Sequence, residues 1–148
     1  MGKPVSGVFR HWRTQINFSP DHVSTASIVT EIDLSSVKLE NPMQAAALVS
    51  RAWFDVDRYP AARFIAPDVR MLSGGGYLAR GQLQLKGVTR PVDLRFDWRD
   101  DGESAHLSGK ATVNRTWFRV GDGDWLTDSQ VAFDVDVSVD AHLRAPEL

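Results

Sequence analysis

The stretch VAFDVDVSVDAHL at 131–143 alternates apolar and polar side chains almost without interruption. Successive side chains of a β-strand point to opposite faces, so this period of two predicts one long strand with an apolar inner face. The acidic residues of the opposite row, Asp134, Asp136 and Asp140, are then expected to face water. General acid–base chemistry needs partly desolvated carboxylates, so this row does not indicate a catalytic pair.

The same alternation recurs along the rest of the chain. It predicts further strands at 14–19, 26–34, 63–72, 77–85, 88–98 and 105–113. Turn-forming residues separate them at 19–21, 73–76, 86–87, 100–102 and 121–123. One segment departs from the pattern: residues 42–51 are rich in helix formers, with Asn41 as N-cap and Pro42 at the first helical position, which predicts a short helix.

Seven to eight sequential strands with one short helix indicate an all-β, antiparallel, closed or nearly closed barrel. Closure removes the exposed edges that so many alternating strands would otherwise present. A two-sheet sandwich is the structural alternative. The 148 residues contain no linker and no internal repeat, so we expect a single domain over residues 1–148.

Composition argues against several classes of function. The chain has 17 Lys and Arg against 19 Asp and Glu, a formal charge of −2, which offers no net basic charge for nucleic acid. It has no cysteine, which excludes disulfides and thiolate sites. No stretch approaches the roughly 20 apolar residues of a membrane-spanning helix, and the start MGKPVSGVFR does not read as a signal peptide.

Markers of catalysis or metal binding are missing from the sequence. The four histidines are His11, His22, His106 and His142. They lie far apart along the chain, and this spacing indicates scattered surface residues rather than a metal site. The segment GDGDWLTD at 121–128 has alternate Asp residues but lacks the Gly and Glu of a calcium loop, where Thr127 and Phe133 stand instead. Neither a nucleophile elbow nor a phosphate loop occurs. We therefore predict no catalytic residue and no metal.

Aromatic residues cluster in four places: FRHW at 9–12, AWFDVDRYP at 52–60, NRTWF at 114–118 and DW at 124–125. Taken singly, each is more typical of core packing than of a ligand site. Taken together they matter more, because an eight-stranded barrel is just wide enough either to be filled by side chains or to hold one slender ligand.

Three motifs resemble those of a known family. WFDVDRYPAARF at 53–64, KGVTRPV at 86–92 and NRTWFRVGDGDW at 114–125 are similar in order and separation to the YceI-like family of lipocalin-like, lipid-binding barrels. The likeness covers nearly the whole chain. It implies a bacterial, often periplasmic protein without covalent chemistry, and so not an enzyme, that carries or transports an apolar ligand. The ligand would be a polyisoprenoid, an isoprenoid quinone or a fatty-acid-like lipid.

The chain departs from this family in two places. Where the family usually reads Arg-x-Asp-Phe-Gly, residues 115–119 read RTWFR, so Trp117 replaces the acidic residue and Arg119 replaces the glycine. The family's first strand and signal peptide are not visible at the start of the sequence. We therefore expect either that Met1 is an internal methionine of a longer gene product or that the protein is a natural variant without that strand. A missing strand leaves a gap in the barrel, which a second copy could cover as a homodimer.

The resemblance and the inward rows together give the candidate ligand site. The predicted lining consists of Phe9, Ile16, Phe18, Ile28, Ile32, Phe64, Leu83, Leu94, Phe96, Phe133 and Val135. Four aromatic residues are expected to close the ends: Trp53, Phe54, Trp117 and Phe118. Arg115 and Arg90 are the candidates for polar contact with a phosphate or quinone head group, the alternative being bonds to backbone or carboxylates at the rim.

Two other functions are compatible with the same sequence. The first is a protein-interaction or stress-associated barrel module with a packed interior and an exposed strand as its docking edge. The second is an isomerase or hydrolase that uses the cavity, against which stands the lack of a recognisable nucleophile, metal site or base.

Overall fold

The structure is a computed structural model, and it describes residues 7–19, 21–121 and 134–144. The predicted turn at 121–123 beyond Gly121, the rest of the segment GDGDWLTD and Phe133 lie outside the described residues. The nine described strands are β1 (Gly7–Phe9), β2 (Trp12–Asn17), β3 (Ser27–Asp33), β4 (Val37–Leu39), β5 (Ala61–Met71), β6 (Tyr77–Leu85), β7 (Val88–Asp100), β8 (Ser104–Asn114) and β9 (Asp134–Arg144). The helix α1 spans Pro42–Leu48, and short 3-10 helices lie at Val23–Thr25, Leu34–Ser36 and Arg115–Phe118.

Seven strands form one antiparallel sheet in the order β2-β3-β5-β6-β7-β8-β9, and β1 pairs with β4 in a separate two-stranded sheet. The large sheet curls into a half-barrel, which confirms the predicted all-β, antiparallel, lipocalin-like architecture with one short helix. Among the described residues β2 and β9 are the two edges of the sheet and do not pair with each other. In the described part of the chain the half-barrel is therefore open between these two strands.

Two turns show why the strands reverse where the sequence predicts. Lys86 and Gly87, between β6 and β7, both have positive φ, at 53° and 77°. Positive φ at both central residues matches the right-handed twist of the flanking strands. Between β7 and β8 the Asp101 carboxylate accepts hydrogen bonds from the amides of Glu103 and Ser104, at 3.0 and 2.8 Å. Local side-chain chemistry thus sets both hairpins.

Helix α1 begins as predicted but ends three residues earlier. The Asn41 side chain accepts a hydrogen bond from the Met43 amide at 2.9 Å, and Pro42 occupies the first turn. After Leu48 the chain turns back, and the Phe54 amide donates to the Leu48 carbonyl at 2.9 Å. This turn carries Trp53 into the core. The predicted end at Arg51 is wrong because burial of this indole overrides local helix propensity.

A β-bulge divides β5. The pairing with β6 shifts between Ile65 and Asp68, and Pro67, which cannot donate to a ladder, lies within the shift. The bulge changes which positions face inward, from Ala66 to Val69. The alternation of the sequence is therefore interrupted here although the strand continues.

The inward side chains form two core clusters. The first consists of Ala26, Ile28, Ala66, Val69, Ala79, Leu94, Phe96, Leu107 and Ala141. The second consists of Leu34, Trp53, Ala62, Leu85, Val92, Val113, Phe118 and Val120. Phe64 and Ala111 pack against both clusters. No described helix is both long and apolar enough to cross a membrane.

Candidate functional site on the inner face of the half-barrel

The structure brings most of the predicted lining residues together. Ile16, Phe18, Ile28, Phe64, Leu94 and Phe96 belong to the first core cluster or pack against it. Phe9, Ile32, Trp53, Phe54, Leu83 and Phe118 belong to the second cluster or pack against it. Phe133 lies outside the described residues. The inner face is thus apolar along its length, as the alternating rows predict.

An aromatic group at one end of this face is larger than the sequence reasoning predicts. The Phe18 ring lies 4.8 Å from the Tyr77 ring and 4.7 Å from the Trp98 ring, measured between centroids. Tyr77 stacks on Phe96 at 5.3 Å. Tyr77 and Trp98 were not predicted as site residues, although both have the same parity as the inward residues of their strands. That parity is the signal that could have found them.

Phe64 lies in the middle of the inner face, where the two core clusters meet. A side-chain carbon built on Gly81 would lie 2.7 Å from two atoms of the Phe64 ring and 2.7 Å from the Ile65 carbonyl oxygen. Real atoms do not approach so closely, so only glycine lets this ring lie against β6. Phe64 therefore lies between the two core clusters, in contact with both.

The open side of the half-barrel leaves apolar inward side chains in contact with solvent. On β9, Val135 and Val137 are 41% and 37% exposed, whereas Val139, Ala141 and Leu143 of the same row pack against the first cluster. On β2, Trp12 pairs with Ile32 and is also exposed. The inward row of β9 is therefore buried at one end and open at the other.

The three motifs that resemble the known family meet at one end of the half-barrel, which we call the capped end. It consists of segments 49–60 and 115–121 packed around the turn between β6 and β7. The Lys86 ammonium donates to the Arg119 carbonyl at 2.7 Å, and the Gly121 amide donates to the Ala52 carbonyl at 2.7 Å. Gly87 lies against the Tyr59 ring. These contacts join the motifs to one another and close this end.

Arg115 is part of the capped end. Its side chain is 3% exposed, its Nη1 donates to the Val120 carbonyl at 3.0 Å, and its guanidinium lies 5.2 Å from the centre of the Trp53 ring. Hydrogen bonds to main-chain carbonyls and a face-on aromatic contact are the means by which a buried arginine fixes a loop. Arg115 thus has the alternative role that the sequence analysis gives for it, which is hydrogen bonding to the backbone. Its guanidinium does not occupy an open position where a head group could bind.

Arg90 has a different environment. It pairs with Leu83 across β6 and β7, and paired residues of antiparallel strands share a face, so Arg90 starts from the inner face. Leu83 packs against the second cluster, whereas Arg90 is exposed. An exposed guanidinium that starts from the inner face beside the capped end can reach an anionic group at the rim.

Two predicted end-closing residues are separated by the structure. Phe118 is fully buried in the second cluster, whereas Trp117 is 49% exposed and belongs to neither core cluster. The prediction that Trp117 closes an end of an interior site is therefore not supported by its position. The 3-10 helix at Arg115–Phe118 turns these adjacent side chains in different directions.

Known proteins resemble this chain in sequence and in fold. A curated relative, a UPF0312 protein of Pseudomonas savastanoi pv. phaseolicola, is 23% identical over 122 residues, which cover 78% of this chain and 64% of the relative. The solved structure of Burkholderia cenocepacia BcnA is 28% identical, with a TM-score of 0.84, over 95% of this chain and 87% of that one. A Saccharophagus degradans domain, described as a polyisoprenoid binding domain implicated in plant cell wall breakdown, is 16% identical, with a TM-score of 0.63, over 81% and 77% of the two chains.

The chain spans less than two thirds of the length of the curated relative. The model of the YceI-like domain matches residues 1–143, which include the three convergent motifs and all described strands except the last residue of β9. The protein belongs to the YceI-like family.

Proposed function

We propose that this protein binds one long apolar molecule, a polyisoprenoid or an isoprenoid quinone, along the inner face of its half-barrel, without catalysing a reaction. One observation carries the proposal: the apolar row of β9 continues from the packed first cluster to Val135 and Val137, which stay exposed at the open side. Exposed apolar surface continuous with a core is typical of a ligand groove.

The description of a structural relative supports the chemical class of the proposed ligand. The Saccharophagus degradans domain is described as polyisoprenoid binding, and it shares the fold of this chain. A hydrocarbon ligand matches the chemistry of an inward face that is built from aromatic and aliphatic side chains.

Burial of hydrocarbon is the driving force in this proposal. Each methylene moved from water to an apolar surface contributes about 0.8 kcal/mol, so several isoprene units supply more than roughly 10 kcal/mol before the costs of ordering. Because the groove lies on one side of a curved sheet, the ligand would complete the missing side of the core.

The principal test is native mass spectrometry of the purified protein, followed by addition of octaprenol to delipidated protein. We expect a bound lipid mass or one equivalent of octaprenol. Val137→Asp, which places a carboxylate on the inner face, should lower octaprenol retention at least about tenfold, since an unpaired charge is costly beside hydrocarbon. Ser138→Asp on the opposite face is the matched control and should retain it. Equal retention by both variants would place the ligand elsewhere.

We further propose that Arg90 contacts an anionic or quinone head group at the rim of the capped end. The test compares binding of octaprenyl monophosphate and octaprenol to Arg90→Gln. The variant should weaken binding of the phosphate about tenfold and leave octaprenol unchanged, because a charged hydrogen bond contributes roughly 1.5–3 kcal/mol. Arg95→Gln, exposed on the outer face, is the control. Parallel losses for both lipids would remove the head-group role.

A second candidate, a protein-interaction module, is favoured by one feature. Among the described strands the large sheet has two edges, β2 with 6 residues and β9 with 11, and an unpaired edge is a template for another strand, including that of a second copy. The same mass spectrum separates the candidates: a lipid-free monomer that does not take up octaprenol excludes lipid binding. A ligand-free dimer would favour edge pairing.

Residence in the bacterial periplasm is part of the proposal and is tested by fractionation of the native host.

A further inference from the structure

Two histidines that are distant in the sequence face each other on the outer side of the sheet. In the β8–β9 ladder His106 is the Cα partner of His142, and their rings stack with centroids 4.5 Å apart and planes 3° from parallel. Asp140 lies two residues before His142, so strand parity places it on the same face. Its carboxylate contacts His106 Nε2, and this hydrogen bond holds the pKa of Asp140 below its usual range.

These three side chains form a compact set of metal-ligand atoms. One imidazole nitrogen from each histidine and one carboxylate oxygen all lie within 4.8 Å of one another. Ligands bonded to one tetrahedral ion at about 2.0–2.2 Å lie roughly 3.4 Å apart, so small rotations of side chains would suffice to converge on an ion. Of the described residues, these three are the group with such a geometry.

The chemistry of the donors selects a class of metal. Imidazole nitrogens with one carboxylate suit Zn²⁺, Ni²⁺, Co²⁺ or Cu²⁺, whereas Ca²⁺ and Mg²⁺ prefer shells of oxygen ligands. From this geometry we propose that His106, His142 and Asp140 bind one late first-row divalent cation on the outer face, bridging β8 and β9. The protein supplies three ligands, and water completes the coordination.

The surroundings set the strength of this site. Asp140 and His142 are exposed and His106 is half-buried, so binding competes with water and the affinity is lower than that of an enclosed structural site. Arg99, on β7, lies directly opposite His106 in the pairing of β7 with β8, and it lines the same open pocket as both histidines. Its positive charge opposes that of the cation.

The position of the site gives metal binding a mechanical consequence. β9 is an edge strand, held on one side by β8, and its inward row forms part of the open side. A cation that joins side chains of both strands adds a cross-link at the His106–His142 pair. Metal binding should therefore slow amide exchange in β9 near that pair.

The test is isothermal titration of untagged protein with ZnCl₂ and NiCl₂. We expect one equivalent to bind, with MgCl₂ and CaCl₂ giving no heat. His106→Ala and His142→Ala should each lower Zn²⁺ affinity at least about tenfold, because each removes a ligand. Asp140→Asn should weaken binding less. Arg99→Gln should strengthen it by removing a nearby positive charge.

The matched control is His11→Ala. His11 is an exposed histidine whose Nδ1 lies 4.0 Å from Asp33 Oδ2, so it reproduces a histidine–aspartate pair without a second histidine. This variant should bind Zn²⁺ like the parent. Circular dichroism melting without metal shows whether the variants fold. Absence of Zn²⁺ and Ni²⁺ binding by the parent, or unchanged affinity in folded His106→Ala and His142→Ala, would overturn the proposal.

Discussion

Trp117 and Phe118 are adjacent in the chain, yet their side chains meet opposite surroundings. Phe118 is fully buried in the second core cluster, and Trp117 is half exposed. Phe118→Ala should lower the free energy of unfolding by about 3–5 kcal/mol, because it leaves a cavity. Trp117→Ala should change it by less than about 1 kcal/mol. Urea denaturation measures both, and similar losses for the two variants would contradict the assigned environments.

Arg119 occupies a backbone conformation that favours glycine. Its φ is 56°, in the left-handed region, at the end of the 3-10 helix, and the resemblance of residues 115–119 to the family's motif implies a glycine at this position. A non-glycine residue costs roughly 1–2 kcal/mol there, partly offset by the greater flexibility of unfolded glycine. Arg119→Gly should therefore raise the free energy of unfolding by up to about 1 kcal/mol. A melting temperature below that of the parent would contradict this assignment.

Asp101 stabilises the β7–β8 turn through its charge. Hydrogen bonds from the Ser104 amide and then the Glu103 amide lower the pKa of its carboxyl below the usual value. A lowered native pKa means that this stabilisation is present above about pH 4 and is lost as pH falls through the native pKa. Asp101→Asn should be less stable than the parent at neutral pH, and the difference should shrink towards about pH 2. Asp93→Asn, an exposed carboxylate on β7, is the control for urea denaturation at both pH values.

At the scale of elements, the two edge strands differ from the central strands in how many amides are paired. In an antiparallel edge strand, alternate amides point away from the neighbour, whereas strands such as β6 and β7 are paired on both sides. Hydrogen exchange followed by NMR should therefore show alternating fast and slow amides in β2 and β9, and uniformly slow amides in β6 and β7. Uniform protection along β9 would indicate pairing with another strand, as expected for the predicted homodimer.

At the scale of the whole molecule, the proposed ligand should contribute to stability. A ligand that binds only the folded state raises the free energy of unfolding by about 2.7 kcal/mol at one hundred times its Kd. Delipidated protein should therefore melt at a lower temperature than loaded protein, and added octaprenol should restore the difference. Val137→Asp should show no such increase. Identical melting curves with and without octaprenol would show that the folded state does not bind octaprenol in preference to the unfolded chain, and would contradict the proposal.

The amino-acid sequence by itself determined the strands, the hairpins and the apolar inner face. Alternation with a period of two is a local property, and turns such as Lys86-Gly87 depend on the conformations of a few neighbouring residues. Most predicted lining residues consequently lie on the inner face. The predicted helix end at Arg51 is wrong because a buried side chain, and not local preference, directs the chain there, and the exposed position of Trp117 likewise depends on tertiary packing.

Only the tertiary structure decided how distant segments meet. It placed Arg115 among main-chain carbonyls of the capped end, left Val135 and Val137 open beside an unpaired edge, and set His106 opposite His142. Each of these outcomes depends on the register between β8 and β9, or on the packing of segments separated by many residues. Such contacts arise when the sheet assembles as a whole, so no local pattern of residues contains them.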